Sequence, residues 1–159
     1  MPTSAGILPF RFDGDALQVL LVHPGGPFWA RKDAGAWSIP KGEHGPGDDP
    51  LEAGLRELAE ETGADVAAID RGALVELGAA TQKGGKTVVA WAAEIDLDAS
   101  AVESNTFTIE WPPRSGREQE FPEVDRAEWL DLQTAHAKIN AAQAVFLDRL
   151  ELALAGRGA

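Results

Sequence analysis

The stretch from Gly42 to Ala64, GEHGPGDDPLEAGLRELAEETGA, constrains this chain of 159 residues more than any other part of it. Glu57, Glu60 and Glu61 stand three and four residues apart within one short segment of helical periodicity. Side chains at those offsets share a face of an α-helix. Leu51, Leu55 and Leu58 form a stripe roughly opposite, so the predicted helix has a core face and an acid face. Asp49-Pro50-Leu51-Glu52 offers an N-cap, a proline at the first helical position and a glutamate at N3, close to a capping box. Gly63 supplies the stop. Arg56 lies four residues after Glu52 and four before Glu60, placed to pair with either.

Carboxylates crowded on one face repel each other unless a cation sits among them. Hard divalent cations such as Mg²⁺ are held by oxygen ligands, and carboxylates are the usual protein supply. The acid face therefore reads as a metal cradle. The plainer alternative is a solvated helix with scattered charge, because a bare EL-x-EE pattern is common.

The surroundings of the helix decide between them. Gly42 is followed after five residues by Asp48, and Asp48 after seven by Arg56-Glu57-Leu58-Ala59-Glu60-Glu61-Thr62-Gly63-Ala64. This resembles the Nudix box, G-x5-E-x7-R-E-U-x-E-E-x-G-U, with U a bulky aliphatic residue. All spacings agree. Asp48 stands where the family has Glu, and Ala64 is small for the last aliphatic position. The resemblance implies a Nudix hydrolase, which cleaves a nucleoside diphosphate linked to another moiety using Mg²⁺ or Mn²⁺. It implies metal ligation by Glu57, Glu60 and Glu61, joined by the Gly42 carbonyl. Arg56 would orient those acids, and Asp48 would take the place of the glutamate that packs against it. A metal ion at a phosphoryl group neutralises charge and polarises its oxygens, which suits such chemistry.

Further site residues are expected outside the box. Trp37-Ser38-Ile39-Pro40-Lys41-Gly42 resembles the W-x-x-P-K-G entry of Nudix enzymes acting on dinucleoside polyphosphates, diphosphoinositols or some nucleoside triphosphates. Lys41 would meet a phosphate there as a point charge, the alternative being a surface lysine in a turn. Trp37 reads as core packing. These sites often recruit another acid from a later loop as ligand or base. Glu123, six residues before Trp129, is the first choice and Glu120 the reserve. In the loop from Gly25 to Gly35, Phe28 and Trp29 are candidates to stack on a base, and Arg31 and Lys32 to meet phosphate. Arg114, Arg117, Lys83 and Lys86 are similar candidates, and solvated loop charge explains each of them equally well. His23, His44 and His136 look isolated and are assigned no role.

The chain suits a single domain spanning residues 1–159, long enough to bury one good core at 44% hydrophobic content. Strands are expected over 3–11 and 17–23, and as a hairpin over 74–82 and 86–95 around Gly84-Gly85. A further strand is expected at 106–111, an irregular stretch from Pro112 to Pro122, a last strand over 127–132, and a closing helix within 140–155. With the box helix this makes an α/β/α sandwich with a mixed sheet, as the Nudix resemblance also implies. The N-terminal MPTSAGILPFRFDG lacks a basic start and a long apolar run, so cytoplasm is the default compartment and no membrane partner is expected. A net charge of −12 argues against a nucleic-acid polymer as partner, yet not against a small phosphorylated substrate approached through metal. The protein is expected to be a monomer or homodimer.

Three functions follow. The first is a metal-dependent pyrophosphohydrolase acting on a nucleotide, a dinucleoside polyphosphate or a nucleoside triphosphate foremost. The chain has no tyrosine, which counts against the dinucleotide choice because a tyrosine after the box marks many bacterial enzymes of that group. The second is hydrolysis of a non-nucleotide diphosphate such as a diphosphoinositol, for which 14 Lys and Arg leave limited means. The third is a non-catalytic ligand-binding module. Carboxylates that repel one another cost stability, so a module without metal chemistry has little reason to keep all three. The enzyme reading is preferred.

Overall fold

The computed structural model describes residues 3–157. Strands β1 (Thr3–Asp13) and β2 (Ala16–Pro24) form a hairpin that turns at Gly14, whose φ of 60° suits a residue without Cβ. β1 is apolar nearly throughout because both of its faces are covered: Leu8 and Phe10 belong to one core cluster and Ile7 to the other. A short β3 (Lys41–His44) leads through a turn to helix α1 (Pro50–Thr62). Strands β4 (Val75–Thr81) and β5 (Thr87–Glu94) make the expected second hairpin. After them come β6 (Thr106–Glu110), β7 (Glu118–Pro122), β8 (Val124–Asp131), α2 (Leu132–Lys138) and α3 (Ala144–Arg157).

The main sheet runs β4-β5-β1-β2-β8, with β5 parallel to β1 and the other pairs antiparallel. One edge of β1 is shared. Phe10–Asp13 pairs with β2, whereas Thr3–Gly6 pairs with β3. That division brings Lys41 and Gly42 to the middle of the sheet, alongside Gly6 and Ala5. On one face α1 lays Leu55 and Leu58 against Ile7 and Ala93; on the other, Phe146, Leu147 and Leu150 of α3 pack with Leu8, Phe10, Leu21 and Trp37. The result is the α/β/α sandwich with a mixed sheet. Trp37 is fully buried, as its reading as core required. No helix among the described residues is long and apolar enough to cross a membrane.

Several local expectations need correction. Pro112 to Pro122 is not irregular throughout, because Glu118–Pro122 pairs residue for residue with Thr106–Glu110 in a separate two-stranded sheet. Glu118, Gln119 and Glu120 are all exposed, so β7 has no apolar alternation to betray it. The last strand starts earlier, at Val124, and Leu132 begins a helix instead of ending the strand, with Asp131 capping the Thr134 N–H at 2.7 Å. Seven residues are too few for α2 to show a helical stripe. Asp49 occupies the N-cap of α1 without a side-chain cap bond, and Glu52 pairs with Arg71 instead of closing a capping box. Gly63 ends the helix in the left-handed conformation, its N–H donating to Ala59.

Candidate active site

α1 crosses the centre of the sheet with its acid face toward β3, and the contact is close. A methyl group at Gly42 would overlap the Glu57 carboxylate, so the side chain keeps this position only above a glycine. One turn on, Glu61 Oε2 accepts the Lys41 backbone N–H at 2.9 Å. The side chain of Glu57 is 14% exposed; burial and then Glu60 push its carboxyl up, Arg56 opposes them, and Glu123 adds to the rise. Glu61 is pushed up to about 8, by burial first and then by Glu57 and Glu123, against the Lys41 N–H and charge. Two neighbouring carboxyls are thus both disfavoured as anions.

Arg56 serves the outer side of this cluster. Its guanidinium lies 4.0 Å from both Glu57 Oε1 and Glu60 Oε1, with its own side chain half exposed. Of its two sequence-based partners it takes Glu60, since Glu52 is held by Arg71. Asp48 does not pack against Arg56: its Oδ2 accepts the Gly45 N–H at 2.8 Å. The shorter side chain closes the loop in front of the helix, a role a three-residue separation makes natural for aspartate.

Glu123 joins the cluster through the backbone. The Asn105 N–H donates to the Glu60 carbonyl at 2.9 Å, and the Glu123 N–H donates to the Asn105 carbonyl at 2.8 Å. Ser104 Oγ holds the next residue by accepting the Val124 N–H at 3.1 Å. The carbonyls left open at the end of α1 thereby fix the junction of β7 and β8 beside the acids. Lys41, Glu61 and Glu123 line one cavity of about 150 Å³, with Ser38, Val22, Pro24 and Val124 around them. Glu120, the reserve, instead faces Thr108 across the small sheet.

Lys41 is pushed down by burial and by Lys86, and the acids Glu61, Glu43 and Glu57 partly restore it. Lys86 itself holds Glu43 at 3.0 Å, so of the scattered cations it is the one brought to Lys41. Trp29 and Arg31 do not line the cavity. They sit in the turn after β2, where both are exposed and Lys32 Nζ lies 4.8 Å from the Trp29 ring centroid. His23 was missed. It is fully buried, with Nδ1 2.8 Å from Asp125 Oδ1 and Nε2 2.6 Å from the Lys32 carbonyl oxygen. It pins the loop of Trp29 and Arg31 to β8, and the sequence separation of 102 from Asp125 hid that pairing from the sequence.

The donor set suits a divalent cation in its chemistry: all-oxygen, anionic and strained by mutual repulsion. Among the described residues, no three of His, Cys, Asp or Glu already converge closely enough to hold one. Glu57 and Glu61 nevertheless both feel the charge of Glu123, and Glu61 that of Glu57, a repulsion that such an ion would relieve.

A family model described as NUDIX domain matches residues 1–150. The bis(5'-nucleosyl)-tetraphosphatase [asymmetrical] of Mus musculus is 41% identical over 100 residues, 58% of this chain and 64% of that protein. Its Rattus norvegicus counterpart is 41% identical over 61 residues, 37% of this chain and 42% of that one. The chain therefore spans less than two thirds of the length of these curated relatives. Among solved structures, a C. elegans Ap4A hydrolase binary complex superposes with a TM-score of 0.66 at 22% identity, covering 98% of this chain and 99% of that one. A mutT/nudix family protein from Listeria innocua gives 0.64 at 15% identity, covering 98% and 95%. At such identities these structures speak to the fold.

Proposed function

The chain belongs to the NUDIX family, and from that premise we propose that it is a divalent-metal-dependent hydrolase of dinucleoside polyphosphates. One observation carries the reading: Glu61 is held beneath the Lys41 N–H among Glu57 and Glu123 with its carboxyl pushed up to about 8. A cation would relieve acids kept together at such cost. The 41% identity to two bis(5'-nucleosyl)-tetraphosphatases supports the choice of substrate class.

In this reading Glu57, Glu60, Glu61 and Glu123, with the Gly42 carbonyl, hold Mg²⁺ or Mn²⁺. The ion, when bound, supplies positive charge to the phosphoryl oxygens and acidifies water. The chain's own residues do the rest. Lys41, half-buried between the acids and Lys86, draws the polyphosphate to the cavity, and Lys86 extends that positive strip. Arg56 holds Glu57 and Glu60 in place from outside. Glu123 is exposed at the strand junction and takes the proton of the attacking water on its carboxylate.

The test is phosphate release from a panel coupled to a phosphatase, with diadenosine tetraphosphate, nucleoside triphosphates, ADP-ribose and a nucleotide sugar. Diadenosine tetraphosphate should turn over with Mg²⁺ or Mn²⁺ and not with chelator, and Glu61→Gln should lower turnover by orders of magnitude. Metal-independent turnover, or full activity in Glu61→Gln, would refute the assignment.

A further inference from the structure

Two segments that the acid cluster leaves unused meet beside Glu123. The loop after β2 is seated on the end of β7: the Gly25 N–H donates to the Glu123 carbonyl at 2.9 Å. A methyl at Gly25 would collide with the Pro122 carbonyl, and one at Gly26 with the Phe107 ring. Gly25 lets the loop and the β6–β7 arm touch backbone to backbone, and Gly26 leaves room for the Phe107 ring. Phe107 and Phe121, with centroids 6.1 Å apart, brace the arm from within. Farther out, Phe28 of the loop meets Trp111 of the arm edge to face, at 5.4 Å and 79°.

That pair does not close on itself. Phe28 remains 62% exposed, and its neighbour Trp29 39%. An aromatic pair serving only as packing would take its rings out of water. The same two segments carry Arg31, Lys32, Arg114 and Arg117, in a chain whose net charge is −12. Wet aromatic faces among cations, on the flank of a phosphate site, are what stacking platforms for nucleobases consist of.

The spacing fits a ligand of some length. Phe28 lies three residues beyond Gly25, so an extended chain keeps it within roughly 11 Å of that anchor. Trp111 donates its N–H to Arg117, six residues before Glu123, which places it roughly 20 Å away along the strand. Phosphates and a ribose bridge such a gap; a base in contact with the acids would not reach. We propose that Phe28 and Trp111 form a subsite on which the nucleobase at the end of the polyphosphate stacks.

This rests on the polyphosphate reading above, and the two can fail separately. The measurement is calorimetric titration of the full chain, with Mg²⁺, by a methylene-bridged diadenosine tetraphosphate analogue and by inorganic tetrapolyphosphate. Phe28→Ala and Trp111→Ala should each weaken the dinucleotide about tenfold and leave the inorganic ligand unchanged. Phe28→Tyr, which keeps a ring, should retain wild-type affinity. Equal weakening of both ligands, or of neither, overturns the subsite. Should wild type fail to hydrolyse diadenosine tetraphosphate while binding stays ring-dependent, the proposed reaction falls and the subsite stands.

Discussion

Replacing Glu61 by glutamine in the metal-free protein isolates what the acid cluster costs the fold. In the folded chain this carboxyl titrates at about 8, against an ordinary value of 4.5, because burial and then Glu57 disfavour its charge. Between those values the folded state keeps a proton that the unfolded chain has released, so stability falls as pH rises. Below 4.5 both states are protonated and the penalty is absent; above about 8 both are ionised and it is complete. Each pH unit in the window corresponds to about 1.4 kcal/mol, which sets a ceiling of about 5 kcal/mol. The side chain is only partly withdrawn from solvent, and screening brings the expected figure to about 2–3 kcal/mol. Glutamine keeps an oxygen for the Lys41 N–H, so the substitution removes the charge and not the hydrogen bond. Urea unfolding with chelator should then show the variant matching wild type near pH 5 and exceeding it near pH 8. Adding Mg²⁺ should narrow the gap by stabilising wild type alone. Parallel pH profiles for the two proteins would refute the claim that Glu61 is ionised at a cost.

Other substitutions follow from the same geometry. Gly42→Ala should displace the Glu57 carboxylate at little cost in stability, with loss of metal-dependent turnover; unchanged calorimetric Mg²⁺ affinity would count against Glu57 as a ligand. Arg56→Ala should change stability by less than about 1 kcal/mol, since its ion pairs are long and half exposed, yet weaken Mg²⁺ binding about tenfold. His23→Ala should cost about 1–3 kcal/mol in denaturant unfolding, by removing a buried ring with its bonds to Asp125 and the Lys32 carbonyl, and should raise KM more than it lowers kcat. Asp48→Glu should lose the bond to the Gly45 N–H and leave turnover unchanged or improved; a collapse in turnover would make the loop closure a requirement of the site.

What could be read from the sequence was whatever repeats locally. The stripe of Leu55 and Leu58, the stop at Gly63, the apolar run of β1 and the alternation in β5 all express contacts within a few residues or against a continuous core. The acids of α1 were legible for the same reason. What escaped has no local signature. Phe121 is the one residue of β7 that is even half-buried, and α2 is shorter than two helical repeats. The His23–Asp125 contact joins two strands that become neighbours only when β8 adds to β2. Asp48 was assigned to Arg56 by position in a motif, and the fold gave it to the nearer Gly45 N–H. Trp29 and Arg31 lie in a loop tied to β8 through His23, outside the lining of the cavity that holds Lys41, Glu61 and Glu123.

The site is arranged by backbone more than by side chains, and that has a consequence for how it tolerates change. Glu61 is positioned by the Lys41 N–H, and Glu123 by the chain of carbonyls running from Glu60 through Asn105. Neither tether depends on which side chains occupy Lys41 or Asn105. Arg56 is a side-chain support, and at 4.0 Å it acts through charge more than through a directed bond. Substitutions at Lys41 or Arg56 should therefore change the electrostatics of the cluster while its geometry stays. Gly42 and Gly25 are the reverse. They carry no charge, yet a Cβ at Gly42 would push the Glu57 carboxylate aside and one at Gly25 would collide with the Pro122 carbonyl next to Glu123. In a cluster built to bring like charges together, the uncharged positions set the distances and the charged ones set only the energy.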